Sequence, residues 1–280
     1  MKVQKRRLLI RVFTLYIPLL LFLVWFLFPM YWMAITSIKS KLELAKLTNP
    51  LFVSEPTLVH YKELILESDF PIWMGNSFLV SVAATLLSLI ISCMAAYAIS
   101  RMKFFGRKIV SRSVLFSYLI PRVILFLPLY TLVNRYHMAD TLWGLVVTYL
   151  TFMIPFCTWL LVGYFKSIPN ELEECARMDG AGRLRILKDI IFPIAAPGVI
   201  TAALFSFTLS WNEFLYPLVF NTLSKKQVIP VSISYLITGD LFEWGKIMAT
   251  GILFTIPLII IYYPLQGSIE EGMTAGAVKG

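Results

Sequence analysis

The residues best able to do chemistry sit in one charged stretch, Glu171 to Lys188, between two long apolar runs. Glu171, Glu173 and Glu174 follow Pro169 and Asn170, and Arg177, Arg183, Arg185 and Lys188 come after them. Such a pattern offers non-covalent chemistry: ion pairs, and a helical face for another molecule to grip. Acids in a first turn complement the positive end of a helix, and Asn170 is placed to cap it. Leu172, Cys175, Ala176 and Met178 add small or apolar groups. The run Asp179-Gly180-Ala181 should end this helix, because glycine can take the left-handed conformation found at helix ends. A second helix is expected from about Gly182, carrying Leu184, Ile186 and Leu187 and rejoining the membrane at Pro193. The same pattern also fits an amphipathic connector resting on lipid headgroups.

Polar groups inside the apolar runs form a second set. Trp211, Asn212 and Glu213 fall mid-way along one run, and Arg122 follows Pro121 in another. An acid inside a bilayer is costly and faces the bundle interior or a water path. Asn212 and Glu213 therefore read either as structural hydrogen-bonding groups or as the lining of a solute path. Arg122 reads as structural, a donor to carbonyls freed by a proline kink.

The elements that position these groups are membrane helices. The chain has 280 residues, of which 58% are hydrophobic and 15% charged, and a mean hydropathy of +0.76. A soluble domain carries about 25% charged residues, so the fold class is all-α and polytopic. About 20 apolar residues cross the hydrocarbon core, and six runs reach that length: about 12–36, 76–100, 113–134, 144–165, 195–220 and 246–268. The first is too long and aromatic, and lacks the small-residue cleavage site, for a removed signal peptide. The net charge of +9 does not point to nucleic acid, because the bases cluster at the ends of apolar runs. Residues 1–11, the turn holding Arg101, Lys103, Arg107, Lys108 and Arg112, and the loop 166–193 are basic and short. They should face the cytoplasm together with both termini.

The resulting division is a basic tail at 1–11, a first span at 12–36, an extracytoplasmic loop at 37–75 and a five-helix core at 76–269. The cytoplasmic loop 166–193 lies within that core, and a tail follows at 270–280. In the loop 37–75, two prolines precede a short surface helix, and the segment 221–245 reads as irregular. No C-x-x-C occurs and His60 and His137 stand alone, which leaves no disulfide framework or metal site; Cys93, Cys157 and Cys175 read as small packing residues. Neither H-E-x-x-H nor G-x-S-x-G is present, and no paired carboxylates mark an intramembrane enzyme. No G-x-x-x-x-G-K-[ST] loop is present, so any ATP-driven step needs another chain.

The polar stretch resembles the EAA loop of the membrane subunits of ABC importers. That pattern is E-A-A, three residues, Gly, nine residues, then I-x-L-P. Glu174-Cys175-Ala176, Gly180 and Ile190-Ile191-Phe192-Pro193 stand at those positions, with Cys175 for alanine and Phe192 for leucine. The likeness extends to Asn76-Ser77, A-A-Y-A-I-S-R at 95–101, F-x-G-R-K ending at Lys108, Pro128-Leu129-Tyr130, I-P-N-E-L at 168–172, Ala196-Pro197-Gly198, Trp211-Asn212-Glu213-Phe214 and the final G-M-T-A-G-A-V-K-G. These resemble the carbohydrate branch, the maltose-type permeases. The resemblance implies a type I importer permease with six spans and no catalytic residue. It implies an ATPase-docking site made of Glu174, Cys175, Ala176, Asp179, Gly180, Ala181, Ile190 and Pro193, and a solute path touched by Trp211, Asn212 and Glu213. Partners would be a second homologous permease, an ATPase dimer, an extracytoplasmic solute-binding protein, a di- or oligosaccharide and the bilayer. This chain would bind no cofactor, with ATP and Mg held by the ATPase. The tail reads either as a loose end or as a second ATPase contact. The competing reading is a secondary transporter or channel with no ATPase. That reading wants coupling-ion residues in several spans or an inverted repeat, and neither is visible.

Overall fold

In α4, Phe70–Arg101, the residues Ser77, Ser81, Ala84, Ser88, Ser92 and Ala96 recur every three or four positions and are all buried. Small side chains at that spacing let neighbouring helices approach closely and lend hydroxyls for interhelical bonds. This stripe organises the fold. The computed structural model describes residues 12–46, 50–238 and 241–277. The basic tail 1–11, Gly239-Asp240 and 278–280 lie outside them.

Two compact units are present. The first holds α1 (Ile17–Ser37, entered through a π-turn at Val12–Tyr16), α2 (Lys41–Leu44) and α3 (Val59–Glu67). It also holds a two-residue antiparallel pair, β1 (Ile237–Thr238) with β2 (Leu241–Phe242), and the start of the last helix. α1 is apolar on every side and exposed over most of its length, as a lipid-facing helix must be. Lys39 and Glu43 are buried at its end. The Lys39 ammonium reaches the Pro50 carbonyl, and Glu43 accepts the Ser54 N–H at 3.2 Å through Oε1 while its Oε2 has no hydrogen-bond partner. On α3, Glu63 is hydrogen-bonded by Lys41. That bond, opposed by burial and assisted by Lys246 at 3.0 Å, holds its carboxyl below the usual range.

The second unit packs α4 against α7 (Leu142–Ser167), with α11 (Ala196–Trp211) against both. Ser92 donates to the Ile154 carbonyl at 3.2 Å, Cys157 meets the Ser206 hydroxyl at 2.8 Å, and Ser210 donates to Ser81 at 3.2 Å. α4 begins six residues before Asn76, because Pro71 is tolerated in a first turn. Asn76 instead donates to the Gln227 carbonyl at 2.8 Å.

Two spans differ from the sequence expectation. The third is a pair, α5 (Arg107–Leu119) and α6 (Arg122–Arg135), bent by 99° at Ile120-Pro121. The fifth stops at Trp211, and a separate helix, α12 (Leu215–Phe220), follows. Among the described residues, four helices are long and apolar enough to cross a membrane, or six if two bent pairs each count once: α5 with α6, and Arg183–Ile194 with Ala196–Trp211, bent by 82°. The last helix, α13, runs Trp244–Ala277 through Pro257 and Pro264. The backbone of the expected tail is helical as far as Ala277.

Candidate functional site

The polar stretch folds as α8 (Glu171–Met178), a turn at Asp179–Gly182, and α9 (Arg183–Ile186), which continues through a π-turn at Leu187–Ile191 into α10 (Phe192–Ile194). Gly180 has φ +80°, the left-handed conformation that closes α8, and the Ala181 N–H returns to the Ala176 carbonyl at 2.9 Å. Asn170 makes no cap hydrogen bond. Its Oδ1 accepts from Arg101 instead.

The orientation of α8 inverts the expected amphipathic face. Glu173 is buried to 3% exposure, while Leu172, Cys175 and Met178 are exposed. Arg101, the last residue of α4, causes this. Its Nε lies 2.9 Å from Glu173 Oε1, with both side chains about 5% exposed or less. Its Nη2 donates to the Phe165 carbonyl at 2.5 Å and the Ile168 carbonyl at 2.6 Å. Arg177 holds the other Glu173 oxygen at 3.2 Å, and the Tyr97 hydroxyl donates to it at 3.4 Å. A guanidinium offers five donors in a fixed fork, which suits one residue to tie several acceptors at once. Arg101 therefore rivets the end of α7 and the start of α8 to α4.

Around this rivet Ala176, Ile186, Ile191 and Ala195 join Tyr97, Leu161 and Phe165 in one apolar core, with Ala181 and Ile190 packed at its margin. The eight residues expected to dock a partner are thereby divided. Glu174, Cys175, Asp179, Gly180 and Pro193 face outward; Ala176 is buried and Ala181 and Ile190 are half-buried. The small size of Ala176 serves the packing of the loop on its own core. Outside, Met178 and Leu184 stand 81% and 76% exposed beside Glu174 and Asp179. The reading of all three cysteines as packing residues fails at Cys175, which is exposed, whereas Cys93 and Cys157 are buried.

The second set of polar groups gathers where the break between α5 and α6 meets the break between α11 and α12. Glu213 lies at the break between α11 and α12, not mid-way along a helix. Its Oε1 accepts the Leu215 N–H at 3.1 Å, and its Oε2 lies 3.3 Å from Arg122 Nη1. The Tyr216 hydroxyl donates to the Arg122 carbonyl at 2.9 Å. The carbonyl beside the proline break thus takes its donor from Tyr216, while the Arg122 guanidinium pairs with Glu213 and lies 5.0 Å over the Phe152 ring. Trp211 is fully buried and stacked on Phe207 at 5.3 Å. The Asn212 amide is turned back to the Thr208 carbonyl at 2.9 Å. A cavity of about 500 Å³ opens beside the pair, lined by Arg122, Tyr118, Thr151, Phe152, Phe156 and Phe205. Of the three expected path residues, none lines it; Glu213 only backs the arginine that does. Among the described residues no three of His, Cys, Asp and Glu come together as metal ligands.

Residues 88–275 match the family described as binding-protein-dependent transport system inner membrane component. The chain belongs to that family. The permease is 34% identical to the trehalose/maltose transport system permease protein MalG of Thermococcus litoralis, covering 91% of this chain and 92% of the relative. It is 32% identical to the diacetylchitobiose uptake system permease protein DasC of Streptomyces coelicolor, covering 99% and 100%. Its fold matches a subunit in the crystal structure of a bacterial ABC transporter involved in import of the acidic polysaccharide alginate. The TM-score is 0.79 at 23% identity, covering 93% of this chain and 97% of that one. The permease is thus an all-helical, multi-pass inner-membrane transport subunit of an ABC importer, and ATP hydrolysis belongs to a separate subunit.

Sequence reasoning missed Arg101, Glu173 and Tyr97. One signal was present: Glu173 stands four residues before Arg177 and three before Ala176, on the face that packs inward.

Proposed function

We propose that this permease carries a di- or oligosaccharide across the cytoplasmic membrane, forming the path with a second homologous permease and receiving its cargo from an extracytoplasmic solute-binding protein. The basic loops support a cytoplasmic position for both termini and the loop 166–193. An ATPase dimer there holds ATP and Mg and grips that loop. The observation that carries this reading is the division of α8. A buried Glu173–Arg101 pair fixes its inner side, while Glu174, Cys175, Met178 and Asp179 stand outward with Leu184 beyond the turn. A surface of exposed apolar groups set among charges of both signs, on a rigid base, suits docking to a cleft and transmits displacement without a covalent link.

Sugar as the cargo is supported by the named substrates of relatives that match nearly the whole chain. The cavity beside Arg122 fits that chemistry. Tyr118 and Phe156 offer ring faces for sugar stacking, and the arginine and Thr151 offer hydrogen bonds. Because Glu213 balances Arg122, the wall carries little net charge, as a neutral solute requires.

The test is uptake by the reconstituted transporter, with ATPase activity followed in the same vesicles. Glu174→Lys and Gly180→Pro should abolish uptake while the permease remains inserted and the ATPase subunits still hydrolyse ATP. Normal uptake by both variants would remove the docking role. Full uptake by this chain alone would establish the secondary-transporter reading.

A further inference from the structure

We infer that the permease binds the phosphate of an anionic phospholipid headgroup in the cleft between the end of α4 and the turn that joins α8 to α9. α4 has 32 residues, about 48 Å at 1.5 Å per residue, against a hydrocarbon core of about 30 Å. Its charged end must therefore emerge at headgroup level. There Arg101, Lys103, Arg177 and Arg183 surround a cleft of about 550 Å³, with Tyr97 on its wall.

The local charge is not balanced. Glu173 is the acid beside this cleft, and both its oxygens are already engaged by Arg101 and Arg177. Among the described residues, neither Lys103 nor Arg183 has an acid within ion-pair distance. Four cations against one acid leave a concave site with an excess of positive charge, which suits a phosphate diester. Basic clefts of this kind at the cytoplasmic ends of membrane helices recognise lipid headgroups.

The flank of the cleft selects a lipid over a free anion. Lys103 is followed by Phe104 and Phe105, and Phe105 is fully exposed; Ile109, one turn on, is 68% exposed. Gly106, with φ +81°, turns the chain between these rings and Arg107. Exposed aromatic side chains between basic residues sit at the headgroup boundary, with rings in the acyl region and charges above them. A phosphate tethered to acyl chains meets both features. The site does not depend on whether the neighbouring loop docks an ATPase, although a lipid there would touch Arg177 and Arg183 on either side of the turn.

The experiment uses the assembled transporter in nanodiscs and detergent, with phosphatidylglycerol as the probe and phosphatidylcholine as the reference. Lipid retained after purification is read by native mass spectrometry. The variant K103Q/R183Q should bind phosphatidylglycerol on the order of 30-fold more weakly, and K103Q alone about fivefold more weakly. The control R185Q/K188Q removes the same formal charge outside the cleft and should change retention by less than about threefold. Equal retention by all variants, or equal loss in the control, overturns the site. Displacement of phosphatidylglycerol by inorganic phosphate overturns the lipid and leaves a free-anion site. In a Cys175→Ala background, protection of K103C from thiol labelling by the ATPase subunits, in detergent without added lipid, overturns it in favour of a protein contact.

Discussion

Arg101 and Glu173 lie on different helices, yet they meet at 2.9 Å with both side chains buried. The ion pair turns an acid of α8 toward the protein and leaves Leu172 and Met178 outside. Without Arg101 the buried Glu173 keeps only Arg177, itself 53% exposed, as a charged partner, so the cost should fall below the ~3–5 kcal/mol of a fully stranded buried charge. Arg101→Ala should therefore loosen residues 170–186 selectively. Hydrogen exchange should rise there and at the end of α7 around Phe165, and remain unchanged in the rest of α7. Arg101→Lys keeps the charge but cannot reach the Phe165 and Ile168 carbonyls and Glu173 together, so it should fall between the two.

The pairing of Arg122 with Glu213 is less symmetrical, because the arginine side chain is 43% exposed and the glutamate 10%. Arg122→Met leaves a shielded carboxylate without its partner, whereas Glu213→Gln leaves a guanidinium that can turn to water. Thermal unfolding should show a larger loss for Arg122→Met. The double variant should be more stable than the sum of the two losses implies, by about 1–3 kcal/mol of coupling. Additive losses would show that the two breaks do not brace one another.

Gly180 and Gly198 should both resist substitution, for different reasons. Nothing lies within 4 Å of a Cβ built on Gly180, so Gly180→Ala acts through its φ of +80° alone and costs about 1–2 kcal/mol within the turn. A Cβ on Gly198 would stand 2.4 Å from the Tyr164 ring. Gly198→Ala should push α11 off α7 and cost about 1–3 kcal/mol of overall stability. Limited proteolysis separates the two: cleavage rises at 179–183 in the first variant, and the unfolding temperature falls in the second.

Much of this was legible in the sequence, and the exceptions have physical causes. Gly180 stood out because only glycine takes positive φ cheaply, and Pro121 announced a break. The break at Asn212–Phe214 carries no proline or glycine. It lies four residues before Pro217, which has no N–H for the Glu213 carbonyl and whose ring clashes with it, and the Glu213 carboxylate takes the N–H of Leu215 in place of a helical acceptor. Arg101 read as one more cytoplasmic charge, since its acceptors lie on α7 and α8. Likewise, Trp211 looked available for stacking, but its neighbour Phe207 covers it.

Asp140 gives a pH signature outside the membrane helices. Burial disfavours its charge, but the N–H groups of Thr222 and Leu223 and the Thr222 hydroxyl outweigh that and hold its carboxyl below the usual range. A lowered folded-state pKa stabilises above the unfolded value, near 3.9, and that contribution is lost as pH falls through the folded value. Asp140→Asn keeps a side chain that tolerates φ +55° while removing the charge. The variant should unfold at a lower temperature than the parent at neutral pH, and the gap should close below about pH 4.

The central claim is that the outer side of α8 is the surface an ATPase subunit covers. Cys175 lies on that side, and Cys93 and Cys157 are buried, so a maleimide reports on Cys175 alone. Labelling should be fast on the purified permease and strongly slowed when the ATPase subunits assemble with it. Equal labelling in the two states would contradict the account.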